Sequence, residues 1–271
     1  MQGWPHFIPT KDKIAYLNEL LRVGFDTLDF GSFVSPKAIP QLADTAEVLA
    51  GLDLSNTKTK LLAIIANQRG AIDAVSHEQV SYLGFPFSIS ETFQKRNTNS
   101  SIQQSLETVE EIQNLCVKTG KQLVVYISMG FGNPYGDPFS ESVVFDWVHK
   151  LAAFDIKIIS LADTVGLAEP AQVSSTTKYL VDALPDISIG VHLHSLSSNW
   201  RAKLDAAVDA GCLRFDGALK GIGGCPMAGN DLVGNMDTQL MIPYFRDRKL
   251  LHNVNEEALQ ASLALATRIF A

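Results

Sequence analysis

Residues 157–194 read KIISLADTVGLAEPAQVSSTTKYLVDALPDISIGVHLH. Two short apolar runs, 157–162 (KIISLA) and 187–194 (ISIGVHLH), enclose a longer stretch, 171–184, with a helical repeat of apolar positions. The outer runs have the length and composition of buried strands, and the middle has that of an amphipathic helix. Two strands joined through a helix run parallel, because parallel neighbours need a long crossover where antiparallel ones need only a tight turn.

The same alternation extends in both directions. Further strands are predicted over 24–30 (GFDTLDF), 60–66 (KLLAIIA), 80–88 (VSYLGFPFS), 122–129 (QLVVYISM) and 213–218 (LRFDGA). Helices are predicted over 11–23, 105–119, 141–153, 198–210 and 255–270, the first marked by Ile14, Leu17, Leu20 and Leu21 at helical spacing. Thr10, after Pro9, is the expected N-cap of the first helix. No Pro/Gly/Ser-rich linker interrupts the pattern, so one domain over 1–271 is expected, an α/β fold with a parallel sheet. Strands recurring every 20–40 residues or so have the pace of a (β/α)8 TIM barrel. Seven strands are found rather than eight. The expectation is therefore a barrel whose first strand is absent from the sequence and lies before Met1, with an open seam between the strands at 24–30 and 213–218. A doubly wound open sheet needs no eighth strand, but its phosphate-binding GxGxxG after the first strand is missing.

The 271 residues are 46% hydrophobic and 19% charged, values that exclude a disordered chain. The net charge of −7 leaves no electrostatic footprint for nucleic acid. The densest basic stretch, Arg246-Asp247-Arg248-Lys249, reads as the solvated end of a helix. Three cysteines without a CxxC give no disulfide framework and point to a reducing compartment. No apolar run is long enough for a membrane span, and the first residues do not resemble a signal peptide, so a cytoplasmic location is expected with no membrane partner.

Val191-His192-Leu193-His194 is the sharpest chemical signal. Residues i and i+2 of a strand share a face, so both imidazoles point one way, and at the C-terminal end of a barrel strand that way is the active-site mouth. The spacing leaves two readings open, a metal-binding pair or two hydrogen-bonded core histidines. Asp163, in Ala162-Asp163-Thr164-Val165-Gly166, and Asp29 each end an apolar strand, where a carboxylate is costly unless paired, metal-bound or capping the next loop. Gly221-Ile222-Gly223-Gly224-Cys225-Pro226 reads as a mobile loop that exposes a reactive thiol or packs a small residue in a turn. Cys116 and Cys212 are expected in the core. Asn235 offers an amide oxygen suited to a hard cation.

Taken together, these segments resemble the 3-hydroxy-3-methylglutaryl-CoA lyase family of metal-dependent lyase barrels. The likeness is carried by Ser32-Phe33-Val34-Ser35-Pro36-Lys37, Lys95-Arg96-Asn97-Thr98-Asn99, Asp163-Thr164-Val165-Gly166, His192-Leu193-His194 and the Gly-Gly-Cys-Pro loop, and runs over nearly the whole chain. It implies retro-Claisen cleavage of an acyl-CoA thioester substrate to acetyl-CoA and acetoacetate, as in leucine catabolism and ketone-body formation. It also implies His192, His194 and Asn235 as ligands of Mg2+ or Mn2+, Cys225, Asp163 and Asp29 as catalytic residues, and Tyr126 and Ser160 as substrate-binding residues. A homodimer is compatible with it. Lys95 and Arg96 are read either as contacts to CoA phosphates or as a solvated surface pair. The chain departs from the family pattern in several places. An arginine–aspartate pair of the family's first strand is absent ahead of Met1-Gln2-Gly3, so no cation is expected to stand ready for an enolate. Ser195 replaces an aspartate after the histidine pair, and Gln239 replaces a glutamate. A related aldolase or acyl-CoA lyase, or a non-catalytic barrel, are the alternatives.

Overall fold

The computed structural model describes residues 1–223, 233–251 and 253–271. Its seven strands are β1 (Thr27–Ser32), β2 (Lys60–Ile64), β3 (Val80–Ser88), β4 (Gln122–Ser128), β5 (Ile158–Ala162), β6 (Ser188–His192) and β7 (Arg214–Phe215). They form one sheet in chain order, and every adjacent pair is parallel. Around them lie α1 (Thr10–Val23), α2 (Thr45–Ala50), α3 (Gln68–Val75), α4 (Glu91–Thr98), α5 (Ile102–Thr119), α6 (Glu141–Ala152), α7 (Pro170–Ala183), α8 (Trp200–Asp209), α9 (Thr238–Asp247) and α10 (Glu256–Ile269).

The sheet curls into a barrel of the (β/α)8 type. Leu62 of β2, Val124 of β4 and Ile158 of β5 pack together with Ile64, Tyr82 and Tyr126 in a small apolar cluster inside the curve. Asp29 of β1 lies within electrostatic reach of Asp216, which follows β7, although the two strands stand at opposite ends of the strand order. Among the described residues β1 and β7 exchange no ladder bonds. The larger core lies between strands and helices, where Phe30, Phe85, Ile127, Ile159 and Val191 meet Leu17, Ile112, Val148 and Leu204. β5 is buried at all five positions, as a parallel strand covered on both faces should be.

Local chemistry sets the boundaries of the elements. α5 begins with a capping box in which Ser101 and Gln104 satisfy each other's backbone donors, and ends at Gly120 with φ 68°. Asn67, Ser140 and Asn255 cap α3, α6 and α10. Thr10 is not the cap of α1. Pro9 takes that place, Thr10 is the first helical residue, and its hydroxyl donates instead to Asp44 at 2.8 Å. Gly24, expected to start a strand, ends α1 at φ 90°, so β1 begins three residues later. A register shift between Asp29 and Gly31 marks a β-bulge. The basic stretch at 246–249 straddles the end of α9 as expected, with Arg248 held by Asp205 and Asp209. No helix among the described residues is long and apolar enough to cross a membrane.

Candidate active site at the C-terminal ends of the strands

The register stacks side chains in layers inside the barrel. Pro86, Tyr126, Ser160, Gly190 and Arg214 stand side by side, and Ser88, Ser128, Ala162 and His192 lie nearer the C-terminal mouth. His192 is the last residue of β6. Its ring meets Tyr126 edge-on at 5.8 Å, and its Nδ1 lies 3.3 Å from Asp216 Oδ2. Burial opposes protonation of His192, but the hydrogen bond and charge of Asp216, joined by Asp29 and Asp163, carry its pKa above the ordinary value. A carboxylate on one ring nitrogen leaves Nε2 for another partner.

His194 lies beyond the strand ladder, which ends at His192, so strand alternation alone does not place it. The residues after β6 are bound instead to the segment 234–236. Met236 N donates to the Leu193 carbonyl, Ser195 N donates to the Gly234 carbonyl, and His194 and Asn235 form an antiparallel bridge. The rings of His192 and His194 end 5.5 Å apart. Burial, then the charges of His192 and Lys203, bring His194 down to about 4, so its imidazole is neutral near pH 7. Asn235 donates through Nδ2 to the Ile222 carbonyl at 3.0 Å, which leaves Oδ1 as an acceptor. Gly221 and Gly223 allow this contact, because a Cβ on either would lie within 3 Å of Asn235. In its described part the glycine-rich loop thus packs against an amide side chain. Cys225 and Gly224 lie outside the described residues.

Two imidazoles and an amide oxygen form a set that a divalent cation can use. Among the described residues no three His, Cys, Asp or Glu side chains converge as a cage.

Asp163 follows β5 and is 1% exposed. Its Oδ1 accepts from Ala168 N at 3.0 Å and its Oδ2 from Lys203 Nζ at 2.7 Å. The capping and pairing expected of a carboxylate here are both present. Burial raises its pKa against the pull of Lys203. Asp29 is enclosed by protein yet reached by solvent in the lumen; desolvation, reinforced by Asp216, pushes its pKa to about 7. Tyr126 is pushed well above the ordinary tyrosine value, first by burial. Ser160 Oγ is buried with no hydrogen-bond partner among the described residues. Cys116 and Cys212 are buried in the core as expected, and burial pushes each thiol to about 12.

Three polar residues of the interior were not anticipated. Asp216 orients His192. Lys203 reaches inward from α8 to Asp163. Arg214 projects from β7 beside Gly190, hydrogen-bonds Tyr126, and leaves a buried Nε without a partner among the described residues. Arg214 thus places a cation in the barrel interior, at a position different from that of the family's first-strand arginine. Position is the one signal that could have found Asp216, two residues past Arg214 where a strand gives way to a loop. Lys95 pairs with Glu91 at 3.3 Å and is 65% exposed, while Arg96 lies over the Tyr135 ring at 4.7 Å, an arrangement of surface side chains.

Known proteins share this arrangement of strands. A family model described as HMGL-like matches residues 1–265. The hydroxymethylglutaryl-CoA lyase YngG of Bacillus subtilis (strain 168) is 33% identical over 262 residues, which cover 96% of this chain and 86% of that protein. The mitochondrial hydroxymethylglutaryl-CoA lyase of Bos taurus is 30% identical over 244 residues, covering 89% and 74%. An HMG-CoA lyase from Acinetobacter baumannii, solved in complex with coenzyme A and 3-methylmalate, matches with a TM-score of 0.90 at 32% identity over 99% of this chain and 87% of that one. Since the family match runs through all seven strands and both histidines, this chain belongs to the HMGL-like family.

Proposed function

We propose that this protein is a metal-dependent carbon–carbon lyase that cleaves 3-hydroxy-3-methylglutaryl-CoA to acetyl-CoA and acetoacetate. The observation that carries this reading is the pair of imidazoles 5.5 Å apart at the end of β6, with the backbone of His194 bridged to Asn235. The sequence likeness to hydroxymethylglutaryl-CoA lyases supports it, and the relative solved with coenzyme A supports a CoA thioester as substrate.

In this reaction the C2–C3 bond of the acyl group breaks and its electron pair stays on C2 as the enolate of acetyl-CoA. The C3 hydroxyl loses its proton and becomes the ketone of acetoacetate, and C2 takes up a proton. His192, His194 and Asn235 would hold Mg2+ or Mn2+, and the bound cation supplies positive charge that polarises the substrate oxygens. Asp29, at about 7, is partly ionised at neutral pH, and its carboxylate accepts the hydroxyl proton. Cys225, two positions after Gly223 in the sequence, would deliver the proton to C2. Asp163, fixed by Lys203 and Ala168 N, keeps the turn after β5 in place beside the histidines. Tyr126 and Ser160 line the wall, where the unpartnered Ser160 Oγ offers the substrate a hydrogen bond.

The protein supplied with Mn2+ should release acetyl-CoA and acetoacetate in equal amounts. Cys225→Ser should lower turnover by about 10²–10⁴ with Mn2+ uptake unchanged, and His192→Ala/His194→Ala should lose the metal. Absence of both products with either cation would sink the reading. Cleavage confined to another hydroxyacyl-CoA would reassign the substrate.

A further inference from the structure

Lys203 belongs to the outer helical layer, yet its side chain ends in the interior and is 1% exposed. Its Nζ lies 2.7 Å from Asp163 Oδ2, 2.8 Å from the His194 carbonyl and 3.4 Å from the Gly166 carbonyl. An ammonium has three donors, and here three acceptors from the loops after β5 and β6 surround it. None of the chemical steps above employs it.

The backbone of His194 shows what the lysine is placed to do. Ladder pairing stops at His192, so β5 no longer fixes the chain one residue later. From there Leu193 and Ser195 are bound to 234–236 on one side, and the His194 carbonyl is bound to Lys203 on the other. Because the imidazole projects from this peptide, the angle at which it meets His192 and Asn235 depends on both attachments. Groups that orient a metal-binding histidine typically weaken metal affinity 10–100-fold when lost.

We propose that Lys203 is a positioning residue for the cation site: by clamping the His194 carbonyl against Asp163, it holds the second imidazole at the angle needed to share a cation with His192 and Asn235. This rests on the metal reading above. A purely structural ion pair makes a different prediction, and a variant that removes both charges separates the two.

In Lys203→Met/Asp163→Asn the opposite charges leave together, so the field at the cation site changes little, while the bond to the His194 carbonyl is lost. The expected result is a melting temperature within a few degrees of wild type and Mn2+ affinity, followed by electron paramagnetic resonance, weakened about 10–100-fold. In the metal-free protein the His194 ring Cε1–H signal should stay in place in Asp163→Asn, which keeps Lys203, and be displaced in the double variant. If methionine is not tolerated, Lys203→Gln/Asp163→Asn carries the same comparison, with a loss at the lower end of that range. Wild-type Mn2+ affinity and an unmoved His194 signal in the double variant would overturn the proposal. A wild-type protein that takes up no Mn2+ would overturn the metal reading and the cation half of this proposal, and the NMR comparison decides the backbone half alone.

Discussion

Replacing Asp163 by alanine tests the energetics of the interior directly. Asp163 and Lys203 are each 1% exposed and 2.7 Å apart. Alanine removes the only anionic partner that Lys203 has among the described residues and leaves its ammonium with two carbonyl oxygens. It also frees Ala168 N, which the carboxylate capped. Breaking a buried pair from one side costs about 3–5 kcal/mol, because the remaining charge stays desolvated. With unfolding entropy near 2.1 cal/mol/K per residue, the 271 residues give roughly 0.57 kcal/mol/K, so the melting temperature should fall by roughly 5–9 °C. Thermal melts followed by circular dichroism measure this, with Lys203→Met expected to show a comparable loss. The double variant Lys203→Met/Asp163→Asn should recover most of it, since a neutral replacement of a buried pair often costs little. A drop below about 1 °C for Asp163→Ala would refute the reasoning, because a buried ammonium cannot lose its counter-charge so cheaply while it stays charged and dry.

Further outcomes follow from the same geometry. Asp216→Asn should weaken Mn2+ binding by about 10–100-fold, as loss of a histidine-orienting carboxylate typically does, and lower the His192 pKa; calorimetry and NMR titration report the two effects. For Asp29, burial raises the folded-state pKa from 3.8 to about 7, so its ionised form is disfavoured in the folded protein. Ionisation therefore removes stability progressively as pH rises from about 4 through 7. Asp29→Asn should melt higher than wild type above pH 7 and hardly differently near pH 4, and equal melting curves at both ends would contradict this. Gly70→Ala would drive a Cβ into the Phe33 carbonyl oxygen and push on the loop after β1. A cost of about 1–3 kcal/mol is expected, read as a melting temperature lower by roughly 2–5 °C.

The strand–helix alternation was legible because a parallel strand covered on both faces is an unbroken apolar run, and β3 spans the same residues, 80–88, that its composition predicts. The short helices were not. α2 and α3 hold six and eight residues and carry too few turns to show a period, and α9 contains Pro243, which argues against a helix. β7 keeps two residues of the expected six because its pairing with β6 stops at Phe215. Within the site His192 was legible from its strand. The contact between His194 and Asn235 was not, because it depends on a bridge spanning 41 positions that no local pattern encodes. Lys203 reads in sequence as one polar residue on an amphipathic helix, and nothing nearby indicates that its long apolar stem carries the charge inward. Thr10 had the right chemistry for a cap, but Pro9 already supplied a backbone angle that starts the helix.

The packing of α10 on α1 has a consequence for biosynthesis. Each strand pairs with the one made just before it, so the sheet can grow while the chain is still being synthesised. The contacts that bring the two ends of the ring together arrive much later: Asn255 N binds the Val23 carbonyl, and Phe270 packs edge-on against both Trp4 and Tyr16. Until α10 emerges from the ribosome, the apolar face of α1 that it covers remains open to water or to a chaperone. A nascent chain stalled before residue 255 should therefore be a substrate for chaperones that recognise exposed apolar surface, and the same chain extended past residue 270 should be released from them.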